Sequence, residues 1–277
     1  MKKRKSYAKV NIFLKMIWVR GDYHELSSRF VLAKNLYDEM WFEKRNGEND
    51  HVKDADNNEK ELCLEGNFEC EMKKNTIYKA YVALIDFLLA CKKPNAVNTL
   101  FHFFAEHKVV LDKKIPIWWW LWWWSSNAAL FLNVVNQKFK LKISQKKLHD
   151  IGQKVWADVN FFLSGFQSAN VSGVGEIVKE FKEKSVSFDF ILPKDISCNT
   201  RDVYVLFREK FLDLKHIDMD FVQKLQTMKT QDIVKNYSKE QLNDLYPPAK
   251  KLYPALEKYA KPWNFFNGSG SSFFEVK

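Results

Sequence analysis

Residues 118–124 read Trp-Trp-Trp-Leu-Trp-Trp-Trp, between Pro116-Ile117 and Ser125-Ser126-Asn127, and no other stretch limits the possible folds so strongly. Each indole carries on the order of 200 Å² of apolar surface. Burying seven bulky neighbours on all sides demands a large apolar cavity, and the flanking sequence supplies none. Left exposed, six indoles exceed the few hundred Å² of contiguous apolar patch that soluble monomers tolerate. The run therefore predicts self-association, or adhesion of a basic chain to anionic bilayers through a tryptophan-rich loop.

Outside the run the bulk properties are ordinary. The 277 residues suffice for two modest domains, and 46% hydrophobic with 28% charged residues supports a sizeable core and excludes global disorder. Cys63, Cys70, Cys91 and Cys198 lack metal-type spacing, and His102 with His107 does not complete a zinc finger, so no metal-ligand set is expected. The four are expected to be free thiols in a reducing cytosol. The basic start Met1-Lys-Lys-Arg-Lys leads into no long apolar run, which argues against a signal peptide, and no segment approaches the ~20 apolar residues of a membrane span. A cytoplasmic location is expected. The net charge is +10, but Lys and Arg are scattered among Asp and Glu along the whole chain. That pattern suits a basic surface drawing in anionic small molecules better than a nucleic-acid interface.

Tyr7 to Leu14 predicts a strand, whereas 27–37 mixes apolar and polar residues without a clear period. The polar stretch 46–60 predicts a solvated loop. Between Asn75 and Cys91, Ile77, Tyr81, Leu84, Ile85 and Leu88 recur at helical spacing, and Val109 to Ile117 is expected to be extended. Ser125 or Ser126 is placed to cap a helix through Val135, and Ser144 to start another with Leu148, Ile151 and Val155 on one face. Short strands and helices follow from Phe161. The interleaving predicts an α+β protein of two domains, 1–152 and 153–277.

With glycine at the tryptophan positions, the stretch becomes Pro-Ile-Gly-Gly-Gly-Leu-Gly-Gly-Gly-Ser-Ser-Asn-Ala, which resembles the phosphate loop of the GHMP kinase family. Further motifs match in order along essentially the whole chain. They are Ser6-Tyr-Ala-Lys-Val-Asn-Ile-Phe-Leu14, Arg20-Gly-Asp-Tyr-His-Glu-Leu26, Ala157-Asp-Val-Asn-Phe-Phe-Leu-Ser-Gly165, Gly173-Val-Gly-Glu176, Asn243-Asp-Leu245 and Gly268-Ser-Gly270. Any one of these is a weak signal; the ordered set is specific. The resemblance implies the two-domain GHMP kinase fold with its active site between the domains. The activity it implies is ATP- and Mg²⁺-dependent phosphorylation of the 2-hydroxyl of 4-diphosphocytidyl-2-C-methyl-D-erythritol.

Roles carry over residue by residue. Asp158 would be the general base, and Lys9 would orient the substrate hydroxyl and offset developing charge. Tyr23 and His24 would hold the cytosine, Asn11 the polyol part, and Thr200 and Tyr204 the rest of the substrate. Asn75, Lys113, Ser125, Ser126 and Asn127 would lie on the nucleotide side with loop positions Trp118, Trp119, Trp120, Trp122, Trp123 and Trp124. Gly268 and Gly270 would form a supporting loop.

The departure is systematic. Of ten tryptophans, eight (Trp18, Trp118, Trp119, Trp120, Trp122, Trp123, Trp124 and Trp156) occupy positions where the family pattern has glycine or, at one loop position, glycine or alanine. Loop glycines reach positive φ freely and let backbone N–H groups approach phosphate. A Cβ in that conformation costs ~1–2 kcal/mol, and the indoles fill space meant for triphosphate. Loss of ATP binding and of catalysis is expected, with Trp156 displacing the nearby Asp158. The alternatives are a non-catalytic cytidine-nucleotide-binding protein and a Trp-rich membrane-surface or aggregating chain.

Overall fold

A computed structural model describes residues 2–21, 23–45, 62–68, 70–115 and 123–277, without the side chain of Trp123. The expected polar loop at 46–60 and Trp118, Trp119, Trp120 and Trp122 lie outside the described residues.

The chain opens with two long strands, β1 (Arg4–Arg20) and β2 (Tyr23–Lys44), which pair with each other. Valine, isoleucine and aromatic residues crowd both, as suits a pleated buried surface. From Ser27 to Val31 side chains are buried without alternation. A strand covered on both faces shows no period of two, which is why 27–37 resists assignment from sequence.

The chain divides into two compact units. The first holds residues up to Tyr7, then Leu36–Ile115 and Trp123–Ser164. In it the C-terminal end of β2 pairs antiparallel with β4 (His107–Asp112), from Glu39↔Asp112 to Lys44↔His107, and the short β3 (Leu64–Glu65) runs parallel to β4. Five helices pack with this sheet: α1 (Thr76–Ala90), α2 (Pro94–Glu106), α3 (Trp123–Lys138), α4 (Gln145–Val155) and α5 (Val159–Ser164). The residues predicted at helical spacing in α1 and α4 are their buried ones. Phe42, Phe104, Phe131 and Tyr81 meet edge-to-face or tilted at the centre of this core.

The second unit holds Ala8–Asn35 and Gly165–Lys277. The N-terminal part of β2 pairs antiparallel with β5 (Ser168–Gly173), from Leu26↔Gly173 to Val31↔Ser168, and β5 pairs with β6 (Ile177–Glu180). β7 (Phe188–Ile191), β9 (Phe273–Val276) and β8 (Phe265–Phe266) form a small antiparallel sheet in that order. Short helices α6 (Thr200–Lys210), α7 (Met219–Thr227), α8 (Thr230–Asn236), α9 (Lys239–Leu242) and α10 (Tyr246–Leu252) complete the unit. Arg29, fully buried, donates to the carbonyls of Gln226 and Met228 near the end of α7 and to Asn170 of β5, with Glu183 3.8 Å away. Burial pulls its guanidinium down to about 10 against the opposing pull of Glu183.

The α+β expectation stands. The division is interleaved where a single boundary near residue 152 was expected: α4 and α5 pack on one another, so the chain leaves the first unit after Ser164. The four cysteines are unbridged; Cys198 is buried, and burial raises its thiol to about 12. Among the described residues no helix is long and apolar enough to cross a membrane.

Candidate active site

Each unit carries part of the expected site. In the first, Asn75 caps α1 by accepting from the Ile77 N–H at 2.8 Å, and the adjoining Thr76 hydroxyl donates to the Trp124 carbonyl at 2.6 Å. Helix α3 starts at Trp123, so Ser125 and Ser126 sit inside its first turn and do not cap it, contrary to expectation. Both are buried, and Ser126 accepts from the Ser6 hydroxyl at 2.7 Å.

Asp38 of β2, fully buried, accepts from the Lys113 ammonium at 2.6 Å, the backbone N–H groups of Lys114 (2.9 Å) and Ile115 (2.8 Å), and the Asn127 amide (3.0 Å). Burial lowers the Lys113 ammonium to about 8, opposed by the charge and hydrogen bond of Asp38. Two residues assigned to the nucleotide side thus share one carboxylate that sequence reading missed.

Asp158, 4% exposed, directly precedes α5. Gly152 sets that helix: a Cβ there would lie 2.7 Å from Leu163 Cδ1 and 2.9 Å from Asn160 Oδ1 and Val159 Cγ1. Only glycine allows α4 and α5 to approach this closely. Trp156 follows α4 with φ −167°, ordinary extended backbone, and its side chain is half exposed. A Cβ is unstrained at that position, and half of the side chain's surface faces solvent.

In the second unit Lys9 is fully buried on β1. Its ammonium donates to Asn11 Oδ1 at 2.7 Å and stands 3.6 Å over the Phe30 ring, which offset the cost of desolvating the charge. The Asn11 amide donates to Ser28 Oγ at 3.0 Å, and Ser28 donates to the Phe13 carbonyl. The backbone N–H of Asn11 donates to Asn267 Oδ1 at 2.9 Å. Asn243 holds the loop that carries Asn267, donating to the carbonyls of Phe266 (3.0 Å) and Gly268 (2.9 Å) while accepting from the Leu245 N–H. Gly268 has φ +62°, a conformation that glycine reaches without penalty, and Gly270 is buried in the same loop. Thr200 and Ser269 hydroxyls meet at 2.9 Å.

His24 packs against Tyr204 and Phe207 with centroids 5.4 and 5.8 Å apart. Burial, then the nearby Arg208 charge, holds its imidazole below the ordinary value, so at neutral pH it is uncharged. Tyr23 beside it is 69% exposed, and Trp18 is 56% exposed. The turn Gly173–Glu176 closes on itself: the Glu176 carboxylate accepts from the Val174 N–H at 2.6 Å and fills the space a Cβ on Gly173 would need.

No protein-family model matches the chain. A 4-diphosphocytidyl-2-C-methyl-D-erythritol kinase of Sulfurimonas denitrificans is 40% identical over 277 residues, covering all of this chain and 97% of its own. That of Campylobacter jejuni strain 81116 is 37% identical over 273 residues, covering 98% and 99%. The chain belongs to the 4-diphosphocytidyl-2-C-methyl-D-erythritol kinase family. Its fold agrees with a solved 4-(cytidine 5'-diphospho)-2C-methyl-D-erythritol kinase, TM-score 0.69 at 24% identity over 99% of this chain and 90% of that one. Mevalonate kinase of Methanococcus jannaschii shares the fold at TM-score 0.56 and 12% identity, over 99% and 90%.

Among the described residues, then, this member of the kinase family joins Lys9 to Asn11, His24 to Tyr204, Thr200 to the Gly268–Gly270 loop, and Lys113 to Asn127 through Asp38. Sequence reading missed Asp38, Ser28 and Asn267, and gave Ser269 and Asn243, both inside matched motifs, no role of their own. No group of three or more His, Cys, Asp or Glu fit to hold a metal occurs among the described residues.

Proposed function

We propose that this chain is, in design, an ATP-dependent kinase for the 2-hydroxyl of 4-diphosphocytidyl-2-C-methyl-D-erythritol, and that its tryptophan-filled phosphate loop removes ATP binding and turnover. The full-length similarity to kinases of that name carries the first half of this reading. Asp158 takes the hydroxyl proton and Lys9 orients the hydroxyl and offsets developing negative charge. Burial of both side chains supports these roles, since charge interactions strengthen where water is excluded. Neutral His24 offers one ring nitrogen as donor and the other as acceptor, which suits the edge of a cytosine, and Tyr23 is exposed enough to stack on it. Asn11 serves the polyol.

ATP would meet the first turn of α3, with Asn75 and Lys113 on its flank. The nucleotide supplies the phosphoryl group, and binding it requires the backbone donors of 118–124. Six indoles do not fit a loop that must wrap phosphate, so no step through ATP is assigned to the chain as it stands. The hydrogen-bonded network from Lys9 through Asn11 and Asn267 to Asn243 favours a second property, retained affinity for cytidine diphosphate compounds.

Calorimetric titration tests the reading. The chain as it stands shows no heat of binding with millimolar ATP, and the variant with glycine at 18, 118–120, 122–124 and 156 turns over. Saturable ATP binding with unit stoichiometry in the former refutes the loop argument. Absence of turnover in the latter refutes the kinase reading.

A further inference from the structure

The Asp38 carboxylate has two oxygens with about four acceptor sites, and four donors fill them. The group is fully buried, so no water competes. Its donors come from two stretches that are 12 or more residues apart in sequence: residues 113–115 after β4, and Asn127, the fifth residue of α3. Two of the four are main-chain N–H groups, so the backbone itself is held, beyond whatever the side chains do. Asp38 stands on β2, paired through Glu39 to Asp112 of β4, which makes it part of the sheet and not of a loop. One rigid carboxylate therefore sets the path of 113–115 and the start of α3 in a common frame.

We propose that Asp38 is the positioning residue of the nucleotide side: it fixes Lys113 and the N-terminal turn of α3 relative to each other, and nucleotide affinity depends on it although it touches no nucleotide. The proposal rests on the kinase reading for its functional half only. An isosteric Asp38→Asn exchange removes the charge from all four bonds and sets the amide N–H groups against one pair of donors. Hydrogen bonds to a charged group are about twice as strong as neutral ones, so the loss is larger than that of one ordinary bond.

The experiment has two arms. In the chain as it stands, hydrogen exchange of the Lys114 and Ile115 amides is followed with and without D38N. Exchange at these two sites rises about tenfold or more, while amides of α4 and α5 in the same unit keep their protection. Unchanged exchange at 114 and 115, or loss of protection throughout the unit, overturns the proposal. In the glycine-restored chain, D38N raises KM for ATP about tenfold and leaves the Kd for cytidine diphosphate unchanged. An unchanged KM, or equal weakening of both ligands, also overturns it. If the restored parent does not turn over, the kinase reading fails, and the exchange arm still decides whether Asp38 fixes the two stretches. Asn127→Ala separates the contributions, since it frees α3 while leaving both main-chain bonds in place.

Discussion

The two units hold their candidate residues by different means. In the second unit the network is built of neutral carboxamides and hydroxyls: Asn11, Ser28, Asn243, Asn267, Thr200 and Ser269 bond to each other and to main chain, with Lys9 the one cation among them. In the first unit a single carboxylate gathers Lys113 and Asn127. The first arrangement is distributed, and loss of one bond leaves others. The second is concentrated, so it depends on one side chain and on the chain it anchors. The tryptophans expose the same contrast. Trp18 and Trp156 stand half exposed on ordinary backbone and are absorbed, whereas the run at 118–124 directly follows the stretch that Asp38 holds.

Four measurements test this contrast. The largest effect is expected for Asp158→Asn in the glycine-restored chain, where kcat falls ~10²- to 10⁴-fold with ATP affinity nearly intact. Full activity in that variant removes Asp158 as the base. Next, cytidine diphosphate at a hundredfold excess over its Kd raises the melting temperature by about 5–10 °C. His24→Ala abolishes that shift and Lys113→Ala does not; equal loss in both variants breaks the separation between the two halves. Third, urea unfolding of Gly152→Ala shows a loss of ~1–3 kcal/mol, because a Cβ overlaps Val159 and Leu163 in a packed core. Gly173→Ala, strained at φ +70° and pressed against the Glu176 carboxylate, loses a similar amount in the second unit.

The smallest effect is a pH dependence. Burial holds His24 in the second unit and His149 in the first below the ordinary imidazole value. The unfolded chain therefore binds protons that the folded chain refuses as pH falls through about 6.5, and stability declines with acidification. His24→Gln removes part of the decline between pH 7.5 and 5.5, and His149→Gln removes another part. A slope unaffected by both variants shows that neither imidazole is held neutral by the fold.

Much of this was legible beforehand, and what escaped has physical reasons. The α1 and α4 helices followed from spacing because each buries one face, and the ordered motifs singled out Lys9, Asn11, His24 and Asp158 as candidates. Asp38 escaped because a carboxylate in a strand looks alike whether it pairs near the surface, as its charged neighbour Glu39 does with Lys114, or accepts four bonds in the interior. Its partners lie 75 to 89 residues away. Asn267 escaped because it stands just outside the Gly268-Ser-Gly270 motif, and nothing in sequence links it to Asn11, 256 residues away, or the loop to Asn243. The serines at the start of α3 were misplaced because tryptophan was not expected to open a helix. The interleaved units were invisible to a reading that looks for one composition change along the chain.

That interleaving has a consequence during synthesis. The first unit is complete in sequence once Ser164 has emerged. The second needs Ala8–Asn35 together with everything to the C-terminus, including β9, which pairs with both β7 and β8. At ordinary elongation rates the apolar strands β1 and β2 wait on the order of ten seconds or more for those partners. During that interval Val10–Phe13 and Phe30–Val31, buried in the finished protein, are open to other chains. Nascent chains halted before Phe273 are therefore natural clients for chaperones that shield unpaired strands, and the yield of native protein depends on how quickly β9 arrives.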